Sequence, residues 1–264
     1  MARWRLLITC LGLVASLSVS AGAGPLLPDL TAVSDRSLGY MYDGEFDLEV
    51  IPGRVIYRFS AAIPNLGDGP FEVSEVTDGD LNQTVYQRIH QEDGSIESRV
   101  LGVFPDADPP FGHLFLVGLA EYNLREAIPG GDNGGVGDVV ATNLKTSHAL
   151  VDSAPWNLSL PGAPTKRRYN SVDAQVLGVS VGWLDLYHKS IPTQWIDVTG
   201  LATGTYWLEV VVDPSNYVEE TDETNNTHRV LVYLDMSTVP EPGTAGLLGL
   251  TLLSVLTRCR RTHS

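Results

Sequence analysis

One histidine lies between two phenylalanines in the stretch PFGHLFLVGLAEYNL, which covers residues 110–124. Phe111, His113 and Phe115 fall at every second position, so an extended chain places these side chains on one face. Three ligating side chains at this spacing would form part of a metal site. The residues alone leave open whether His113 is a ligand that lacks its companions or a polar residue in an apolar stripe.

A second group of polar side chains occurs close to residue 220, in the sequence EETDETNN. Glu220, Asp222, Asn225 and Asn226 offer carboxylate and amide oxygens, which are the hard ligands that Ca²⁺ prefers. An acidic, solvated turn with asparagine capping side chains would have the same composition. Taken by itself, this stretch favours the solvated turn.

The segments between these groups predict strands. Turn-forming sequences such as IPGR, NLGDGP, EDGS, LPGAP and LATGT recur at short intervals. Alternating positions in TYWLEVVVD indicate a half-buried strand, and no segment has the period of an amphipathic helix. The further predicted strands are VIYRFSAAI, FEVSEV, TVYQRIH, SIESRVLGVF and DVVATNL. The sequence therefore predicts an all-β fold, an antiparallel β-sandwich.

The two ends of the chain predict export. Arginines at positions 3 and 5, an apolar run to Val19 and small residues up to Ala23 have the order of a secretory signal peptide, predicted over residues 1–23. Near the other end, the order Pro-Glu-Pro, apolar segment and arginine cluster resembles the bacterial PEP-CTERM sorting tail, over residues 238–264. That resemblance implies a Gram-negative host, a transient inner-membrane anchor, processing by an exosortase, and a final location in the cell envelope or at the cell surface.

The predicted exported body, residues 24–237, is strongly acidic. Excluding the five terminal arginines and Glu241 lowers the net charge of −15 to about −19. Such a charge argues against nucleic acid as a partner, and leaves the C-terminal tail as the only membrane contact. Cys10 and Cys259 both lie in the terminal segments, so the body has no disulfide and depends on its core, on bound ions, or on both.

Several stretches of the body resemble the lysyl oxidase family. They are LPDL (27–30), GLAEYNL (118–124), VVATNLKTSHALVD (139–152), and YHKSIPTQWIDVTG continuing through DPSNYVEETDETNN (187–226). The resemblance implies the lysyl-oxidase-like β-sandwich and a copper-dependent amine oxidase that converts peptidyl lysine to an aldehyde. It also implies a lysine–tyrosylquinone cofactor made from the chain's own side chains, here at Lys145 and Tyr187.

The copper ligands depart from the pattern of this family. Its members place three histidines at alternating positions of one strand, and here those positions hold Phe111, His113 and Phe115. A benzene ring has no electron pair to donate to copper, so His113 is a partial site. His148 and His188 have no spacing that would make them replacements. Since quinone formation depends on copper, we expect a weakly active or inactive amine oxidase.

The resemblance also implies a calcium site, and its positions are retained. They are Asp29, Leu30 through its carbonyl, Glu220, Asp222, Asn225 and Asn226. One ion there would join the first strand to the last turn and close a long loop. The alternative function is therefore a calcium-stabilised, non-catalytic β-sandwich module that binds a matrix protein or a polysaccharide at the cell surface.

Overall fold

Strands and short loops make up nearly all of the computed structural model, which describes residues 24–77, 82–105, 116–146, 150–172 and 174–239. Two 3₁₀ turns, Asn133–Gly135 and Met236–Thr238, accompany the strands. The strands described are β1 (Pro25–Leu26), β2 (Glu45–Asp47), β3 (Ile56–Arg58), β4 (Ala61–Pro64), β5 (Phe71–Thr77), β6 (Asn82–Gln91), β7 (Ile96–Pro105), β8 (Val117–Ala127), β9 (Val136–Thr146), β10 (Ala154–Pro155), β11 (Val176–Val179), β12 (Trp183–Tyr187), β13 (Trp195–Asp197), β14 (Gly204–Val212) and β15 (Thr227–Leu234).

The described strands form four antiparallel sheets. One has the order β1-β6-β5-β11, with β7 added to β6, and another has the order β15-β14-β8-β9. Two three-stranded sheets, β10-β12-β4 and β13-β3-β2, complete the set. The predicted all-β, antiparallel, sandwich-like fold is confirmed.

Alternating side chains account for the burial of β14 and β15. In β15, Val230, Val232 and Leu234 are buried, whereas Leu231 and Tyr233 between them are exposed. In β14, Leu208 and Val210 are also buried, as the period of two in the sequence predicts. Glu209 between them is buried as well, on the other face, where it pairs with Arg125 and Arg229. The inward residues join one large apolar cluster drawn from several sheets.

Aromatic packing connects the central sheets through this cluster. The rings of Phe59, just after β3, and Tyr122 on β8 meet edge to face with 4.9 Å between their centroids. Both side chains are fully buried. Such pairs contribute roughly 0.5–1.5 kcal/mol beyond the area that they bury, and this one fixes β8 against β3 near the candidate site.

A buried asparagine fastens the N-terminal segment to the loop after β4. Asn65 Oδ1 accepts hydrogen bonds from the amides of Asp29 and Gly67, and its Nδ2 donates to the carbonyls of Gly69 and Val179. A Cβ at Gly69 would lie 2.1 Å from the Leu26 carbonyl oxygen, so this contact requires glycine. These contacts fix the backbone at Asp29 against the loop after β4.

Candidate active site

Lys145 is fully buried, although its neighbour Leu144 is 48% exposed. Alternation along β9 accounts for this difference, since Lys145 lies on the same face as Ala141 and Asn143, and Thr142 and Leu144 between them are exposed. Thr146 is paired with Val117 and Leu144 with Glu121, so three residues of β8 lie opposite Lys145 alone. Gly118, in this bulge, has φ 84°. Bulges redirect side chains of the strand that carries the extra residues, which here is β8.

Tyr187 lies at the end of β12, where it is 1% exposed. Its strand pairs with β4 so that Tyr187 is opposite Ala61. Lys145 Nζ lies 3.6 Å from the centroid of the Tyr187 ring. Two residues that are 42 positions apart in the sequence are therefore in direct contact inside the protein.

Asp185 completes this cluster and was not among the residues expected from the sequence. It lies two positions before Tyr187 on the same strand, so both side chains point to the same face. Asp185 is 3% exposed, and its Oδ1 accepts a hydrogen bond from Ser153 Oγ at 3.2 Å. The signal that could have identified it is an acidic residue at the second position before the tyrosine, in a strand otherwise composed of apolar residues.

Burial shifts the protonation of both charged groups. It lowers the pKa of the Lys145 ammonium to about 7, while the nearby Asp185 acts in the opposite direction. Burial also raises the pKa of the Asp185 carboxyl to about 7, against hydrogen bonds from Tyr187 and Ser153 and the charge of Lys145. Lys145 Nζ has no hydrogen-bond partner among the described residues. A substantial fraction of the Lys145 side chain is thus the neutral amine at neutral pH, and it lies against an aromatic ring.

Polar side chains around the cluster come from the predicted QWID stretch and from β8. Gln194, which is fully buried, accepts a hydrogen bond from Tyr122 through Oε1 at 3.0 Å. Burial raises the pKa of Tyr122, with the charge of Asp185 adding to the rise. Asn143 on β9 donates to the Trp195 carbonyl at 2.6 Å. These contacts connect β13 with the two strands that border the site.

The copper positions lie outside the described residues. Phe111, His113 and Phe115 fall in the gap between 105 and 116, and His148 falls in the gap between 146 and 150. His188 is described: it is exposed, and its Nδ1 lies 2.8 Å from Ser190 Oγ. In the described part of the chain, no three histidine, cysteine, aspartate or glutamate side chains converge as a metal centre. The donor chemistry of two phenylalanines does not fit copper.

Four of the six residues expected at the calcium site are in contact, Asp29 with Asn225 and Leu30 with Glu220, since their two segments lie against each other. Leu30 N donates to Glu220 Oε2 at 3.0 Å, and Asn225 Nδ2 donates to Asp29 Oδ1 at 2.7 Å. The Thr221 amide also donates to the Pro28 carbonyl. The first described strand and the last turn are thus adjacent although they are about 190 residues apart.

Three buried oxygens of this cluster have no described hydrogen-bond partner: Glu220 Oε1, Asn225 Oδ1 and Asn226 Oδ1. Burial raises the pKa of Glu220 to about 9, and the carboxylates of Glu223, Asp213 and Asp29 add to the rise. Asp222 differs, since it is exposed and its Oδ1 accepts from the amide and hydroxyl of Thr224. The buried oxygens are a set of unsatisfied hard ligands, which a cation would satisfy.

Taken together, the fold and the site define an antiparallel β protein with a buried lysine against a tyrosine ring and a separate cluster of oxygen ligands. Residues 136–240, which include both members of the lysine–tyrosine pair, match the model of the lysyl oxidase family. Residues 238–261 match the PEP-CTERM protein-sorting motif. The chain therefore carries a lysyl oxidase domain followed by this sorting motif.

Several curated relatives agree with this assignment. The chain is 43% identical to lysyl oxidase homolog 3 of Homo sapiens over 90 residues, which are 34% of this chain and 11% of that protein. It is 41% identical to lysyl oxidase homolog 3A of Danio rerio over 93 residues, or 35% of this chain and 12% of that protein. Lysyl oxidase homolog 4 of Bos taurus is 30% identical over 178 residues, covering 67% of this chain and 18% of that protein. The chain thus spans less than a fifth of the length of these relatives.

The sorting motif indicates an exported protein associated with the cell surface, and it implies processing by an exosortase. The predicted signal peptide, residues 1–23, and residues 240–264 lie outside the described part of the chain. Among the described residues, none of the helices has the length and apolar character needed to cross a membrane.

Proposed function

We propose that the chain is an exported lysyl-oxidase-type protein whose Lys145–Tyr187 pair is arranged for the family's cofactor but whose copper site is lost. Its amine oxidase activity is accordingly weak or absent. The observation that carries the first part is the 3.6 Å approach of Lys145 Nζ to the ring of Tyr187 in the core. The second part rests on the phenylalanines at 111 and 115.

The environment of Lys145 supports a chemical role for this residue. Burying an amine without a hydrogen-bond partner costs free energy, and a chain selected for stability alone would place an apolar residue at this position. A lysine can form a bond to carbon only as the neutral amine, and burial lowers the pKa of Lys145 to about 7. A useful fraction of this side chain is therefore unprotonated at neutral pH.

Asp185 has two roles in the proposed site. Its carboxyl, with a raised pKa, can take up a proton released in the site near neutral pH. Its hydrogen bond with Ser153 on the neighbouring segment keeps the carboxyl oriented. When formed, the lysine–tyrosylquinone would supply an electrophilic carbonyl that accepts two electrons from a substrate amine.

Restoration of the histidines tests this proposal. We expect the wild-type chain to bind no stoichiometric copper, to be colourless, and to release no peroxide from primary amines. We expect Phe111→His/Phe115→His to bind copper, to gain a visible quinone band that reacts with phenylhydrazine, and to yield a 145–187 crosslinked peptide by mass spectrometry. The triple variant with Tyr187→Phe is the matched control, and it should bind copper without the band or the crosslink.

The two halves of the proposal fail in different ways. A wild-type chain with tightly bound copper and a 145–187 crosslink would show that the copper site is functional despite the phenylalanines. A double variant that binds copper but forms no crosslink would show that the lysine–tyrosine contact is not a cofactor precursor.

A second candidate is a calcium-stabilised, non-catalytic module that binds a matrix protein or a polysaccharide at the cell surface. It is supported by the buried, unsatisfied oxygens of Glu220, Asn225 and Asn226, and by the hydrogen bond of Asn225 to Asp29. Asp29, the Leu30 carbonyl, Glu220, Asn225 and Asn226 would hold the ion, with Asp222 at the exposed side. Calcium would neutralise carboxylates whose mutual repulsion and burial raise the pKa of Glu220, and would fasten the N-terminal segment to the last turn.

A further inference from the structure

Strand β7 forms an open edge of its sheet. Residues 83–87 of β6 pair with β5, and the same residues also pair with β7, so these two neighbours lie on opposite sides of β6. In the described part of the chain, β7 has no second partner. Its outer edge therefore offers backbone donors and acceptors for pairing with another strand.

The first half of β7 is also exposed on both faces. Every residue from Ile96 to Val100 is exposed. Ile96 is 41% exposed and Val100 is 53% exposed. An edge strand with one buried face, such as β15, gains stability from packing, whereas these residues of β7 gain little. An exposed apolar edge strand is a surface that proteins usually protect.

Little protects this stretch from pairing. Proteins commonly guard an edge with lysine, proline or a bulge. Residues 96–100 read IESRV, with neither lysine nor proline. The register of β7 with β6 shifts at Val85 and Tyr86, leaving Leu101 as the extra residue. The bulge ends the regular segment at Val100 but leaves residues 96–100 free to pair.

The sequence of this segment is self-complementary about Ser98. In an antiparallel pair of identical strands centred on Ser98, Glu97 of each copy lies opposite Arg99 of the other. Ile96 likewise lies opposite Val100. Residues directly opposite share a face, so the two charged pairs lie on one face and the apolar pairs on the other. We propose that β7 is a homodimerisation edge, at which two copies of this chain pair antiparallel across a two-fold axis at Ser98.

The position of Arg99 in the monomer agrees with this pairing. Its Nη1 lies 2.9 Å from Glu219 of the same chain, and both side chains are about half exposed. A guanidinium has five N–H donors, so Arg99 can donate to Glu219 of its own chain and also to the carboxylate of Glu97 on the facing strand. The isologous interface closes on itself, since each copy offers the same edge to the other.

A cysteine at the two-fold axis tests the register. Ser98→Cys, in a chain with Cys10→Ala and Cys259→Ala, places two thiols opposite each other at a Cα separation of about 4.5–5.5 Å, within the range for a disulfide. We expect a disulfide-linked homodimer on a non-reducing gel. Val103→Cys is the matched control on the same edge: it is exposed, but in this register two such residues lie about 30 Å apart, at roughly 3.3 Å per residue.

Charge exchange tests the pairing itself by sedimentation of the full chain. Arg99→Glu and Glu97→Arg each place like charges opposite each other, so we expect at least about a tenfold rise in the dimer dissociation constant. The double variant Glu97→Arg/Arg99→Glu should dimerise again, and an equimolar mixture of the two single variants should form heterodimers. Glu219→Gln removes only the bridge within the chain, and should change the dissociation constant less than about twofold.

The proposal is overturned by any of four results. These are a wild-type chain that stays monomeric at all concentrations reached, equal crosslinking of the cysteines at 98 and 103, crosslinking of Ser98→Cys to a different protein, and a double variant that fails to dimerise again.

Discussion

Replacement of Lys145 by methionine tests whether the buried amine is neutral near physiological pH. The variant keeps most of the side-chain volume and removes the titrating group. The pKa of Lys145 is about 7 in the folded chain, against 10.5 without the fold. A shift of one pKa unit corresponds to about 1.4 kcal/mol. At acidic pH, where Lys145 is protonated in both states, its burial therefore lowers the free energy of unfolding by roughly 5 kcal/mol.

The pH dependence follows from the same difference. Between pH 7 and pH 9 the unfolded chain keeps the proton on Lys145, whereas the folded chain loses it. Stability rises with pH wherever the unfolded state binds more protons. Between pH 7 and pH 9, the free energy of unfolding of the wild type should therefore increase by about 2 kcal/mol relative to that of Lys145→Met. The slope of this increase should approach about 1.4 kcal/mol per pH unit.

Urea unfolding at pH 7, 8 and 9 measures this difference, once mass spectrometry has established that Lys145 carries no modification. Lys189→Met is the matched control. Lys189 contacts Asp43 and Glu45, each at 3.1 Å, and these contacts raise its pKa despite the opposing effect of partial burial. It stays protonated in both states over this range, so its difference from the wild type should be constant. A constant difference for Lys145→Met as well would refute the neutral buried amine.

Three further predictions concern the surroundings of the two sites. At saturating calcium, about 100 times the dissociation constant, the wild type should gain about 2.7 kcal/mol in stability; Glu220→Gln should lose this gain, and Glu219→Gln, at a half-exposed side chain that pairs with Arg99, should keep it, whereas an unchanged melting temperature of the wild type would exclude the ion site. Asp185→Asn should reduce the loss of stability that the wild type shows as pH rises from about 4 to 7, since the folded state holds the proton of this carboxyl up to a pKa of about 7, and Glu220, whose pKa is raised to about 9, contributes to the loss that remains; an equal loss in the variant would assign the effect to other groups. Asn65→Leu should lower the free energy of unfolding, measured in urea, by roughly 3 kcal/mol, because four buried groups lose a hydrogen bond. A change below 0.5 kcal/mol, within what an ordinary surface substitution produces, would contradict this account.

Much of the architecture could be predicted because strand signals are local. The six stretches singled out for their composition fall within strands or strand pairs of the structure: VIYRFSAAI covers β3 and β4, and TYWLEVVVD covers most of β14. Only some of them alternate: Val85, Gln87 and Ile89 of TVYQRIH are buried between less buried neighbours, whereas every residue of VIYRFSAAI is buried. What the stretches share is strand-forming composition between turn signals, which depends only on neighbouring residues. The sorting motif was equally readable, since it acts as a linear signal.

The sites were predictable only in part. The sequence identified the oxygen-bearing residues around Glu220 and the pair Lys145 and Tyr187 through their family resemblance. The contact of the two latter side chains depends on how β9 and β12 pack. Asp185 had one local signal, an acidic residue two positions before Tyr187 in an otherwise apolar strand, but only the structure shows that it is buried. The roles of these residues, the copper positions and the limits of the predicted signal peptide and body remain predictions.

The sequence by itself determined the strands, the sorting motif, the absence of cysteine from the body and the phenylalanines at positions 111 and 115, because each is a property of residue type and order. Only the tertiary structure decided that the inward face of β9 places Lys145 against the ring of Tyr187, since that contact depends on how β9 and β12 pack. The open edge of β7 is likewise a property of the sheet, because whether a strand has one neighbour or two depends on strands far away in the sequence.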